Sequence, residues 1–108
     1  MQQFPYIVVL ITCSSSGEAE RISRALLEGK QVACVNNMPG VSSLFWWQGS
    51  LDSSQENLLI AKTRATRLPE IIRLVEEIHS YDVPEIIALP IIGGNQDYLD
   101  WIDSIVKE

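Results

Sequence analysis

Cys34-Val35-Asn36-Asn37-Met38-Pro39-Gly40-Val41-Ser42-Ser43-Leu44-Phe45-Trp46-Trp47-Gln48-Gly49 is the stretch on which the architecture turns. Neighbouring residues of a strand point to opposite sides of its sheet, so Leu44 and Trp46 look one way while Phe45 and Trp47 look the other. A buried Trp or Phe hides about 150–250 Å², worth roughly 4–6 kcal/mol of gross burial at about 25 cal/mol per Å². Helices of the same chain can cover one such face. The other needs a partner, because an open patch of that size is sticky. The stretch therefore predicts an oligomer, with Phe45, Trp46 and Trp47 at its interface.

Outward from this strand, Pro39-Gly40 predicts a bulge or bend, since proline cannot donate to a ladder. Gly49-Ser50 predicts a tight hairpin turn with Gly at the first central position, and a return strand follows over 51–63. Upstream, residues 6–12 form a continuous β-branched run, the pattern of a strand buried on both faces. Ser15-Ser16-Gly17-Glu18 matches a capping box, in which the hydroxyl and the carboxylate satisfy free amides of a first turn. The helix it opens puts Ala19, Ile22 and Leu26 on one stripe and stops near Gly29. A second helix is expected over 68–80, capped by Thr66, with Leu68, Ile71, Ile72, Val75, Ile78 and His79 on its core side. A fourth strand over 85–92 and a short helix capped by Asn95 complete the chain. The order β-α-β-β-α-β plus a terminal helix is the α+β, ferredoxin-like split β-α-β pattern, with an antiparallel sheet and both long helices on one face.

Composition bounds what such a domain does. At 108 residues the chain is read as one domain, 1–108. Fourteen acidic against eight basic residues give a net charge of −6, with an isoelectric point near 4.6. No basic stripe exists to neutralise phosphates, which argues against nucleic acid and against an anionic membrane. The longest apolar runs, 7–11 and 86–92, fall far short of the roughly 20 residues of a membrane span. The start Met1-Gln2-Gln3-Phe4-Pro5 lacks a signal-peptide pattern, so the cytoplasm is the expected location.

The inventory is poor for catalysis. His79 is the only histidine, no G-x-S-x-G elbow is present, and no phosphate-cradling glycine loop exists. Cys13 and Cys34 show no metal-ribbon spacing and read as free thiols, Cys34 either as a small core residue or as a soft metal ligand. His79-Ser80-Tyr81-Asp82-Val83-Pro84-Glu85 stands out, packing an imidazole, a phenol and two carboxylates into one loop. Lys62 interrupts an apolar strand and needs solvent or a carboxylate such as Glu85. Lys62, Tyr81 and Glu85 are the residues expected around a small-ligand cleft near a subunit seam.

These residues resemble the CutA family, named for divalent-cation tolerance. The matching stretches are Ala33-Cys34-Val35-Asn36 with Pro39-Gly40, Trp46-Trp47-Gln48-Gly49, Lys62-Thr63, His79-Ser80-Tyr81-Asp82-Val83-Pro84-Glu85-Ile86-Ile87, and Asp97-Tyr98-Leu99-Asp100-Trp101-Ile102. The resemblance implies a ferredoxin-like homotrimer whose long hairpins pair sheets between neighbours, without enzymatic activity or an organic cofactor. It also implies a link to copper and other divalent ions, and a trimer similar to that of the PII signalling proteins. A regulatory trimer sensing a small anionic molecule against Lys62 is the alternative function, and a scaffold for a partner protein is a third. The resemblance places Ile11 and Ile78 where some relatives carry metal ligands, and Ser80 where proline is usual. His79 remains, with Cys13 as a displaced substitute and Cys34 as a further thiol, a set that implies weak metal binding.

Overall fold

Ile7-Val8-Val9-Leu10-Ile11 has no polar side chain to offer solvent, and it lies inside the sheet. The computed structural model describes residues 3–107. β1 (Tyr6–Cys13) is followed by α1 (Ser16–Glu28), β2 (Cys34–Trp47), β3 (Ser50–Arg64), a 3-10 turn (Ala65–Arg67), α2 (Leu68–Ile78), β4 (Ile86–Pro90) and α3 (Gln96–Ile105). The strands lie in the order β2-β3-β1-β4, each neighbouring pair antiparallel. This is the ferredoxin-like arrangement expected from the sequence.

Alternation sorts the strands into two faces. Ile7, Val9, Ile11 and Cys13 of β1, with Leu59 and Ala61 of β3, form the main core with Ala19, Ile22 and Leu26 of α1 and Ile71 and Val75 of α2. By register, the reverse face carries Val8, Leu10, Leu58, Ile60, Ile87 and Leu89. α3 closes the Tyr6 end of the chain's second core, packing Leu99, Ile102 and Val106 against Ala33, and the Tyr6 hydroxyl donates to Asp103 Oδ2 at 2.7 Å. Met38, Ile87 and Leu89 remain about half exposed.

β1 ends opposite Asn57, but β2 and β3 continue as a two-stranded arm from the Val41–Glu56 pair to the Trp47–Ser50 pair. The register shifts between Met38 and Val41, where Gly40 takes a φ of +70°, so Pro39-Gly40 forms the expected bulge. The aromatics thus sit on the arm, beyond the four-stranded sheet, rather than on the sheet's own reverse face. Register puts Phe45 opposite Asp52 and Trp46 opposite Leu51. One face of the arm then carries Phe45, Trp47, Asp52 and Glu56, the other Leu44, Trp46 and Leu51.

Four local expectations are corrected. The hairpin turn is Gln48-Gly49, not Gly49-Ser50, because Ser50 already pairs with Trp47; both turn residues have positive φ, +49° and +83°, the type I′ geometry that suits strand twist. Thr66 does not cap α2, since Ala65–Arg67 winds as a 3-10 turn and Pro69 lies in the first helical turn without any side-chain cap. α2 ends at Ile78 with His79 already extended (ψ 145°), and β4 stops at Pro90.

Candidate metal cluster and cleft

Three segments meet where β1 ends: Cys13-Ser14, the first turn of α1, and the loop 79–85. Ser15 caps α1, its hydroxyl accepting from Glu18 N at 3.1 Å. The Glu18 carboxylate does not complete a capping box. Its Oε1 accepts from Ser14 N at 2.8 Å and from the Ser14 hydroxyl at 3.0 Å, and its Oε2 accepts from Ser80 N at 2.7 Å. Glu18 is only 2% exposed. Burial pushes its carboxyl up, yet the hydrogen bonds from Ser14 and Ser80 outweigh burial and bring it down to about 2. Both backbone donors depend on sequence, because proline at position 14 or 80 has no N–H.

The His79 side chain is buried. Its Nε2 donates to the Thr12 carbonyl at 2.7 Å, and its Nδ1 accepts from Tyr81 N at 3.0 Å. These partners assign the neutral Nε2–H tautomer. The 3.8 Å between Nδ1 and Glu18 Oε2 is then a close approach and not an ion pair. Cys13 completes the group: donor atoms of Cys13, Glu18 and His79 all lie within 4.8 Å of one another. Burial first, then the Glu18 and Glu56 carboxylates, push the Cys13 thiol up to about 12, so the sulfur is held protonated. Thiolate, imidazole and carboxylate are together a donor set for soft and borderline divalent ions.

Beyond His79 the loop turns towards the arm. The Tyr81 ring tilts against the His79 ring with centroids 4.8 Å apart, and its hydroxyl donates to Glu56 Oε2 at 2.8 Å. Burial and that bond push the phenol up to about 12. Loop and arm enclose a cleft of about 730 Å³, walled by Phe45, Trp47 and Tyr81 and edged by Asp52, Glu56 and Glu85.

The structure therefore brings Cys13 to His79, and Tyr81 to Glu85. It does not bring Lys62 into the cleft: the ammonium bonds Asn36 Oδ1 across the β2–β3 ladder, and no Lys62–Glu85 ion pair occurs among the described residues. Cys34 stands apart from Cys13 and His79, opposite Lys62 in the register and beside Tyr98, whose hydroxyl is raised by burial and by that thiol. Phe45, Trp46 and Trp47 all lie on the arm, divided between its two faces. Sequence reading missed Glu18, which its position made look like a cap, and Glu56, which only strand register brings to Tyr81.

A split β-α-β fold with a projecting arm and a buried Cys-Glu-His cluster defines a small ferredoxin-like α+β protein. The family model described as CutA1 divalent ion tolerance protein matches residues 7–105, and the chain belongs to this family. It is 47% identical over 95 residues to the divalent-cation tolerance protein CutA of Thermus thermophilus, covering 88% of this chain and 92% of that one. It is 42% identical over 104 residues to the chloroplastic protein CutA 1 of rice, covering 96% of this chain but spanning only 59% of that longer protein. The crystal structure of CutA1 from Oryza sativa superposes with a TM-score of 0.94 at 42% identity, covering 97% of this chain and 96% of that one.

Proposed function

We propose that this chain is a CutA-like homotrimer, one domain over 1–108, that binds copper or another divalent cation weakly through Cys13 and His79, with Glu18 as third donor. The observation that carries this reading is the meeting of those three donor atoms within 4.8 Å. Weakness follows from the same geometry. A metal must displace the Cys13 proton, take His79 Nδ1 from the Tyr81 amide and share the Glu18 carboxylate with Ser14 and Ser80. Cys34 lies too far along the fold to join this group and serves, in this reading, as a separate thiol.

The reading is one of binding in the cytoplasm, without catalysis or an organic cofactor. A PII-like sensor of small anions finds less support, because carboxylates edge the cleft and Lys62 points its ammonium at Asn36. Native mass spectrometry of the reduced protein, titrated with copper and zinc, tests the metal reading. Whole equivalents of metal are expected on the wild type, with apparent affinity lowered about 10- to 100-fold in His79→Ala and in Cys13→Ala. Equal uptake by all three proteins removes the cluster from the metal site.

A further inference from the structure

We propose that the cleft between the arm and the loop 79–85 is a second binding site, built for a small organic cation: an amine or quaternary ammonium with an apolar body. Its volume of about 730 Å³ falls within the roughly 300–1,000 Å³ of small-ligand pockets. Four carboxylates line it, those of Asp52, Glu56, Asp82 and Glu85, and none of its lining residues is Lys or Arg. Such a field rejects anions and attracts cations.

Glu56 sharpens the argument. It is 7% exposed, its carboxylate accepts one hydrogen bond among the described residues, from the Tyr81 hydroxyl, and no basic side chain pairs with it among those residues. A buried carboxylate without a counter-charge is costly, and a cation entering the cleft offsets that cost.

The walls select the kind of cation. Among the described residues, only Cys13, Glu18 and His79 bring three ligating atoms together. No three of the cleft's carboxylates come together as a metal-ligating group among the described residues, so they do not make a cage for a bare metal ion. Phe45, Trp47 and Tyr81 supply aromatic rings, and Val83 apolar contact. Aromatic faces stabilise a weakly hydrated ammonium, while an apolar body fills the space between the charges. The site is distinct from the Cys13–His79 cluster and needs no metal there.

Benzyltrimethylammonium is the probe, titrated calorimetrically into the assembled full-length protein in EDTA, with benzoate and magnesium in parallel. Saturable binding of the ammonium that weakens as salt rises, with no binding of benzoate, is expected. The isosteric double variant Asp52→Asn/Glu85→Gln, which neutralises two exposed carboxylates, should bind about tenfold more weakly. Absence of saturation means that a neighbouring copy fills the cleft, and overturns the proposal. Equal binding of benzoate, displacement by magnesium beyond its effect on ionic strength, or an unchanged double variant overturns it equally.

Discussion

Glu18 ties three parts of the molecule to one carboxylate, receiving amides from Ser14 and Ser80 while packed beside Cys13 and His79. Its ordinary carboxyl value of 4.5 falls to about 2 in the folded chain. A group lowered on folding contributes its full stability above pH 4.5, loses it as pH falls from there towards 2, and contributes nothing below both values. At about 1.36 kcal/mol per pH unit, the whole effect is on the order of 3 kcal/mol. The other ionisable groups facing it are the Cys13 thiol and the His79 ring. Glu18→Gln removes the titration and leaves an amide N–H₂ against one of the incoming donors, costing about 1–3 kcal/mol at neutral pH. In EDTA, urea midpoints of the wild type should fall more steeply between pH 5 and 2 than those of Glu18→Gln. Parallel curves would show that Glu18 carries no such linkage.

Among the elements, the arm separates what sequence makes legible from what it hides. Period-two alternation, Pro39-Gly40 and the return run are local signals, and they gave the strands, the bulge and the ferredoxin-like order. Turn register is set by the pairing of Trp47 with Ser50, a single-residue question that composition does not decide, so Gln48-Gly49 was hidden behind the more familiar Gly-first pattern. Gln48 holds a φ of +49°, unfavourable for most side chains but tolerated by asparagine. Gln48→Asn should therefore stabilise the protein by about 0.5 kcal/mol, seen as a small rise in urea midpoint with unchanged slope. A drop would reject the type I′ assignment. The site was legible by halves for the same reason. His79 and Tyr81 share one loop, and Cys13 ends a recognisable strand, whereas Glu18 and Glu56 reach them only through three-dimensional packing. Ser80 matters for the N–H it gives to Glu18, a role no local pattern announces.

The chain measures 44 × 26 × 23 Å, and among the apolar surface it leaves exposed are Met38, Ile87 and Leu89 by the reverse face and the residues of the arm. Leu44 is 80%, Trp46 72% and Leu51 66% exposed, all on the arm face turned away from Phe45 and Trp47. Beyond Asn57 both strands of the arm also have an unpaired edge, since β1 has ended, and β4 is an edge of the sheet. Exposed edges and apolar faces of this extent favour pairing with another copy. An arm of one subunit laid on the sheet of the next is a heterologous contact, which closes as a ring when the rotation allows. In the proposed trimer, the Leu44-Trp46-Leu51 face is covered by a neighbour, while the Phe45 and Trp47 face remains to line the cleft. Trp46→Ala then removes a large anchor from each seam without opening the protomer core, costing about 2–4 kcal/mol per contact. Sedimentation at micromolar concentration should show the wild type at trimer mass and Trp46→Ala shifted towards smaller species, with the far-ultraviolet circular dichroism of both alike. An unchanged sedimentation coefficient would take Trp46 out of the seam, and a monomeric wild type would leave the arm's apolar face without the partner that its exposure demands.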